Sequence, residues 1–154
     1  MQVFFEKINF DKIQDSVIFL DIDGTLTPDN DLQISKQCIK KIEKLKEKNI
    51  VYLCTNSRNW YRNERIENLL KTKIINRKYK KPSKKILTDV PSSNKNLVVI
   101  GDKFLTDGIF AKNIKAKFIC VKRVKSGQER FFIRIVNFID DVFYQLAKLI
   151  KILK

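Results

Sequence analysis

Acidic, hydroxyl and basic side chains recur directly after short apolar runs of this sequence. Asp21 and Asp23 follow the run SVIFL, and Gly24 and Thr25 come next. Two carboxylates at this spacing can supply a nucleophile and an acid/base, or together hold a divalent cation. Gly24 allows the chain to turn sharply after them. Two solvated acids in an ordinary turn give the same pattern, so the pair alone does not distinguish a reactive site from a turn.

Three further segments carry residues of the same kinds. Thr55 and Asn56 follow the run IVYLC and lead into a helical pattern, which suits a phosphate cradle or an ordinary helix cap. Lys81 precedes a proline, whose rigid ring would open a helix and aim the lysine reproducibly. Asp102 follows the run LVVIG and could bind a metal, while Asp107 is a second site acid or a first-turn helix acid.

The elements that must position these residues form an alternating pattern. Short apolar runs rich in β-branched and aromatic residues alternate with helical periodicity, which indicates an α/β fold with a buried parallel sheet. The predicted strands are 16–20, 50–54, 97–100 and 117–121, with a weaker candidate at 73–76. The predicted helices are 34–48, capped by Ser35, then 59–71, 83–88 and 106–113. Because open α/β sheets bind ligands at the carboxyl ends of their strands, all four segments should converge.

Composition narrows the chemistry further. The chain has 154 residues, 44% of them hydrophobic, which is enough for one substantial core. Its cysteines, Cys38, Cys54 and Cys120, are odd in number and form no CxxC pair, so we expect a reducing compartment. The sequence contains no histidine, which excludes serine–histidine triads, cysteine–histidine dyads and histidine zinc sites. Carboxylates, lysines and hydroxyls must therefore do the chemistry.

The formal charge of +15 would attract an anionic partner, whether lipid, nucleic acid or phosphoprotein. Scattered lysines that merely solvate the surface are the competing interpretation. The opening segment carries charges inside its apolar stretches and does not resemble a signal peptide. No uncharged apolar stretch of about 18 residues occurs, so we expect a cytoplasmic protein, soluble or peripheral at a membrane.

In order and context, the four segments resemble the motifs of phosphatases in the haloacid dehalogenase (HAD) superfamily. Those motifs are DxDGT, a Thr or Ser at the next strand end, a downstream lysine, and GDxxxTD. The resemblance covers roughly residues 15–125 and implies a Rossmann-like three-layer core with a parallel sheet. Four motifs at four predicted strand ends make this a specific signal.

The resemblance also implies a role for each residue. Asp21 would attack phosphorus to give an aspartyl-phosphate, and Asp23 would protonate the leaving oxygen and then activate water. Thr55, with Asn56 beside it, would bind phosphoryl oxygens. Lys81 would neutralise charge on Asp21 and the phosphoryl group. Asp21, Asp102 and the backbone carbonyl of Asp23 would bind Mg²⁺. Asp107 would be a supporting acid.

Short gaps between the motifs bear on the substrate. HAD enzymes that select small metabolites often insert a cap domain after the first or second motif, and neither gap here has room for one. We therefore expect no cap and an open, basic site that accepts a large or surface-bound anion.

The end of the chain carries a separate pattern. From residue 128 onward, apolar residues follow one broad helical face, which predicts a long amphipathic, basic helix. We therefore divide the chain into a phosphatase core, 1–125, and this helix, 126–154. The helix would lie in a membrane interface, or fold against the core or a partner subunit.

The uncapped body and the basic, aromatic tail are most similar to the phosphatidylglycerophosphate phosphatases of HAD subfamily IIIA. The chain departs from them in having DGTLT where DNTL is expected, and Lys103 where glutamine is typical. Alternative substrates are soluble sugar phosphates of the 8-phosphate octulosonate type and nucleic-acid 3′-phosphates. A non-catalytic module that binds anions is the alternative outside the enzymes.

Overall fold

Four parallel strands in the order β2-β1-β3-β4 form the centre of the protein. The computed structural model describes residues 2–75, 78–127 and 131–150. The strands are β1 (Ser16–Leu20), β2 (Ile50–Leu53), β3 (Asn96–Gly101) and β4 (Lys117–Cys120). Strand β1 lies between β2 and β3 and is buried along its whole length. This explains why its sequence is a continuous apolar run rather than an alternating one.

Helices connect and flank these strands. They are α1 (Lys36–Lys46), α2 (Trp60–Leu70), α3 (Ile109–Asn113) and α4 (Phe131–Leu149). A 3-10 helical segment covers Lys84–Asp89, and a π-helical turn, Phe104–Gly108, leads into α3. The Ser35 hydroxyl accepts a hydrogen bond from the Cys38 N–H and caps α1, as predicted.

Two apolar clusters lie on opposite faces of the sheet. On one face, Ile18 and Leu20 of β1 pack with Ile42 of α1 and Ile66 of α2. On the other face, Val17 and Phe19 pack with Val99, the 3-10 segment and α3, and the Phe19 and Phe110 rings meet edge to face. Successive residues of β1 thus serve different clusters, and the α/β prediction of a three-layer core without a cap is confirmed.

Some predicted boundaries need correction. Strand β2 ends at Leu53 rather than residue 54, and 73–76 forms no strand among its described residues, where Ile74 makes one isolated bridge to Leu53. The predicted helix 83–88 is a 3-10 segment that Ser83 caps, so the proline at 82 lies before the cap and does not open a helix. The predicted helix 106–113 divides into the π-helical turn and α3, because the Gly108 N–H donates to the Lys103 carbonyl five residues earlier.

Helix α4 packs on the core with an unexpected face. Its buried residues are Asn137, Asp140, Tyr144 and Ala147, whereas its apolar residues are largely exposed. The outward residues include Phe131, Phe132, Phe138 and Leu149, each at least 69% exposed. No helix in the described parts of the chain is long and apolar enough to cross a bilayer.

Candidate active site

The carboxyl ends of β1 and β3 bring Asp21 and Asp102 together. The ladder between these strands pairs Leu20 with Ile100, and the Asp21 N–H donates to the Ile100 carbonyl at 2.9 Å. Both carboxylates follow directly and are buried, at 5% and 4% exposure. The turn after Asp21 runs through Gly24 at φ +79°, where a side chain would collide with the Asp102 carboxylate. Parallel pairing therefore juxtaposes two acids that are far apart in sequence.

Lys81 lies between two acids at the centre of this group. Its Nζ is 2.5 Å from Asp21 Oδ1 and 2.5 Å from Asp107 Oδ1, and all three side chains are nearly inaccessible to solvent. Burial lowers the pKa of the Lys81 ammonium, but the Asp107 and Asp21 carboxylates outweigh it and hold the pKa well above its ordinary value. The lysine is thus a fixed positive charge beside Asp21.

Three buried acids form a compact cluster. Carboxylate oxygens of Asp21, Asp102 and Asp107 all lie within 4.8 Å of one another. Burial raises the pKa of Asp21 well above its ordinary value, and Lys81 offsets only part of that effect. Burial likewise raises the pKa of Asp102 to about 6, against the opposing charges of Lys103 and Arg123.

The donor set of the cluster fits a magnesium ion. Buried carboxylate oxygens are the ligands that Mg²⁺ prefers, and a divalent cation would favour the ionised forms that burial disfavours. Each of the three acids also has protein partners: Lys81 and Thr25 for Asp21, Thr25 and Arg123 for Asp102, and Lys81 and the Lys103 N–H for Asp107.

Asp23 faces a different set of partners from Asp21. Its Oδ2 accepts from the Thr55 hydroxyl at 2.8 Å, and its Oδ1 accepts from the Asn30 N–H at 3.2 Å. The guanidinium of Arg62 lies 2.9 Å from the same Oδ1. Asp23 is therefore held beside the cluster of three acids but is not part of it. In this position Asp23 can face the cavity as a proton donor.

Asn56 holds the backbone that carries Lys81. Its side-chain carbonyl accepts from the Lys81 N–H at 2.8 Å, and its amide donates to the Lys81 carbonyl at 3.0 Å. This two-bond contact fixes a segment that lies 25 positions away in sequence. Asn56 also lines a cavity above the acid cluster, so it can contact a ligand in addition to this positioning role.

A cavity of about 300 Å³ opens above these residues. Its floor consists of Asp21, Asp23, Lys81 and Asp107. The apolar side chains of Ile133 and Val136 line its rim. The other lining residues are Asp29, Asn30, Asn56, Ser57, Lys103 and Thr106. The rim residues Ile133 and Val136 belong to α4, so the C-terminal helix contributes directly to the mouth of the site.

Arg123 connects the cluster to α4. Its Nε lies 2.5 Å from Asp102 Oδ2, and its terminal nitrogens reach Asp140 at 3.3 Å and Asp141 at 3.4 Å. Asp140 in turn accepts from the N–H groups of Phe104 and Leu105, at 2.9 and 2.7 Å. The turn after Asp102 and the helix are thus held by one shared network.

Sequence reasoning missed three residues of this site. Thr25 donates to Asp21 Oδ2 at 2.9 Å, although only its place in the first motif drew attention to it. Arg62 shares a helix face with Ile66 and Leu70, and a charged residue among buried positions was a usable signal. Arg123 gave no signal, since it follows β4 in a lysine-rich stretch.

Comparison with known proteins agrees with this geometry. The family model for haloacid dehalogenase-like hydrolases matches residues 18–78, which include Asp21, Asp23 and Thr55. Lys81, Asp102 and Asp107 lie beyond the matched segment, yet the fold brings them to the residues within it. No curated protein and no solved structure gives a significant match. Residues 18–78, less than half of the chain, are therefore similar to the haloacid dehalogenase-like hydrolases.

Proposed function

We propose that this chain is a magnesium-dependent HAD phosphatase that hydrolyses a phosphomonoester through an aspartyl-phosphate on Asp21. The observation that carries the proposal is the buried contact of Lys81 with Asp21 and Asp107, beside Asp102. A fixed ammonium there neutralises charge on the nucleophile and on the phosphoryl group. Phosphoryl transfer needs this positioning and charge stabilisation more than elaborate acid/base chemistry.

Two carboxyl groups carry the covalent and proton-transfer steps of the proposed reaction. An Asp21 oxygen forms a bond to phosphorus while the bond from phosphorus to the leaving alcohol breaks, and Asp23 donates a proton to that alcohol oxygen. Water then attacks phosphorus, Asp23 accepts its proton, and the bond between Asp21 and phosphorus breaks. Inorganic phosphate leaves, and both carboxyl groups return to their initial states.

Magnesium would be held by the carboxylates of Asp21 and Asp102 and by the backbone carbonyl of Asp23. When bound, it supplies positive charge at the phosphoryl oxygens. Thr55 binds phosphoryl oxygens in this proposal, which the hydrogen bond from its hydroxyl to Asp23 supports.

Phosphatidylglycerophosphate is the substrate that we propose. The rim of the site supports a lipid, because α4 places Ile133 and Val136 at the cavity mouth and turns its other apolar residues outward. A helix in aqueous solution normally buries such a face and exposes its polar one. The reverse arrangement here would expose apolar surface at a cost unless a lipid interface covers it.

An anionic membrane surface is the occupant that we propose for this face. The net charge of +15 attracts anionic lipid, and the face continues into the cavity mouth, so docking would present the site to the membrane. This placement makes the chain a peripheral protein on the cytoplasmic side.

The first experiment measures phosphate release from phosphatidylglycerophosphate in mixed micelles, with magnesium or with EDTA. We expect magnesium-dependent release by the natural chain and none by Asp21→Asn, because the amide is not a nucleophile. Asp89→Asn, a change at an exposed acid, is the control. Faster release from an octulosonate 8-phosphate or a 3′-phosphorylated oligonucleotide would contradict the lipid substrate but not the phosphatase.

Vesicle sedimentation tests the membrane face. Replacing Phe132 and Phe138 with serine should weaken binding to phosphatidylglycerol vesicles, whereas Gln145→Ser, at an exposed polar position of the same helix, should not. Unchanged binding of the double variant would contradict this docking mode. A stable dimer that the double variant dissociates would assign the face to a second copy instead.

A further inference from the structure

A second cavity adjoins the catalytic one. It has a volume of about 500 Å³, and Ser57 lines both cavities. Thr55, which also lines the second cavity, donates its hydroxyl to Asp23 of the catalytic site. A substrate whose phosphoryl group lies over Asp21 can therefore extend its alcohol part into the second cavity.

Two cationic side chains face this second cavity. Among the described residues they are Arg58 and Lys80, and no described carboxylate lies within 4.0 Å of either charge. Glu64 lines the cavity too, at a greater distance from both. Burial and the neighbouring Arg58 guanidinium lower the pKa of the Lys80 ammonium below its ordinary value. An anion between the two cations would relieve this repulsion.

A fixed framework supports Lys80 of this pair. Lys80 Nζ donates to the Ser57 carbonyl at 3.1 Å, which ties it to the segment between β2 and α2. Lys80 also precedes Lys81, so Asn56 fixes the backbone on which both lysines lie. The charge of Lys80 therefore has a defined position relative to that of Lys81. On the same cavity, the indole of Trp60 offers an apolar surface to the carbon atoms between two anionic groups.

From these observations we infer that Arg58 and Lys80 form a subsite for a second phosphate on the substrate's alcohol part. The inference rests on the proposed function and narrows it to phosphomonoesters that carry a further phosphate group. A lipid head group with a phosphodiester and a soluble bisphosphate share this chemistry. Two charge-assisted contacts to the second phosphate would make a substrate with two phosphates bind more tightly than a substrate with one.

Binding can be measured without turnover in the Asp21→Asn variant. Trp60 is the only tryptophan in the sequence and lines the cavity, so its fluorescence reports occupancy. The probes are glycerol 1,3-bisphosphate, glycerol 3-phosphate and the deacylated head group of phosphatidylglycerophosphate. We expect about 10- to 100-fold tighter binding of the ligands with two phosphates. The ratio between the head group and the bisphosphate distinguishes a diester from a monoester as the second group.

Charge-neutralising variants locate the subsite. Replacing Arg58 and Lys80 with glutamine should abolish the preference for two phosphates, and each single replacement should reduce it. Arg65→Gln with Lys84→Gln removes the same charge from exposed positions outside the cavity and should leave the preference intact. The exposed position of Arg58 makes its single variant usable even if the double variant is unstable.

Failure of this inference differs from failure of the proposed function. Equal affinity for one and two phosphates, or a preference that survives both replacements, would overturn the subsite. In the natural chain, the same ligands serve as substrates, and phosphate release gives the ratio of their kcat/KM values. Absence of Asp21-dependent release, with an intact binding preference, would overturn the phosphatase and leave the subsite standing.

Discussion

The guanidinium of Arg123 lies 2.5 Å from the Asp102 carboxylate and ties a candidate magnesium ligand to the C-terminal helix. Both groups are buried, with side-chain exposures of 7% and 0%. The same guanidinium reaches Asp140, which also caps the turn after Asp102 through two backbone N–H groups. Arg123 therefore contributes both to the position of α4 and to the charge balance of the acid cluster.

Arg123→Ala should destabilise the protein strongly in EDTA. Removing one member of a buried ion pair leaves an uncompensated charge, here on Asp102 and Asp140, and typically costs about 3–5 kcal/mol. Magnesium should reduce this loss, because the ion would neutralise Asp102 in place of the guanidinium. The free energy of unfolding, from urea titrations with EDTA and with magnesium, measures both effects.

Two further variants help to interpret the effect of Arg123→Ala on stability. Lys122→Ala alters a neighbouring exposed cation and serves as the control. Asp102→Asn removes the charge that Arg123 neutralises, so Arg123→Ala should cost less in that background. An Arg123→Ala loss that magnesium leaves unchanged would mean that Asp102 does not bind the ion.

Lys81→Ala should lower kcat by about 100-fold or more, because the fixed charge beside the nucleophile acts mainly in the transition state. Its two acids would remain buried without their cation, so a lower melting temperature is also expected. Phosphate release under saturating substrate measures kcat. Lys84→Ala, at an exposed position, is the matched control.

Folded Lys81→Ala with undiminished kcat would contradict the role of Lys81. Its neighbour Lys80 would not be a simple substitute, because Lys80 donates to the Ser57 carbonyl and faces the second cavity.

The sequence was sufficient to predict that Asp21 and Asp102 lie close together. Apolar runs such as SVIFL mark buried parallel strands, and such strands end at one edge of the sheet. Asp21 and Asp102 each follow a buried strand directly, so their proximity follows from strand pairing alone. That is why residues distant in sequence could be grouped before any contact was known.

The orientation of α4 could not be predicted in the same way. Periodicity identifies an apolar face but does not say what covers it. Here Asp140 binds backbone N–H groups of the turn and Asn137 is buried nearby, so the polar side faces the core. These contacts depend on Arg123 and on the π-helical turn, and neither has a local sequence signature.

Arg62 should affect the reaction through Asp23. Its guanidinium contacts Asp23 Oδ1 at 2.9 Å, and its Nε donates to the Asp31 carbonyl at 2.7 Å. Arg62→Lys keeps the charge but loses this two-point geometry, so Asp23 would be misplaced for proton donation. We expect a loss of about 10- to 100-fold in kcat for an alkyl phosphate, whose leaving oxygen needs that proton.

Aryl phosphates provide the discriminating comparison for Arg62→Lys. Their leaving groups depart without a proton, so the loss should be much smaller with 4-nitrophenyl phosphate. Equal losses on both substrates would indicate a purely structural role. Arg65→Lys, on the exposed side of the same helix, should change neither rate.

Cys54 should resist alkylation in the native protein. Burial raises the pKa of its thiol from 9.0 to about 12, so little thiolate exists at pH 8.5. Cys120, half-buried with a pKa of about 11, should react before it, although burial also raises that value. Labelling with iodoacetamide, followed by peptide mass spectrometry, gives the order of reaction, and denatured protein serves as the control.

The raised pKa of the Cys54 thiol also predicts that the folded protein loses stability at alkaline pH. The folded state retains the Cys54 proton above pH 9.0, where the unfolded chain releases it. The stabilising contribution is therefore complete below about pH 9 and declines as the pH rises towards 12. Cys54→Ala should flatten this part of the profile of unfolding free energy against pH. A profile equally steep in that variant, or rapid native labelling of Cys54, would show that the thiol ionises near its ordinary pKa.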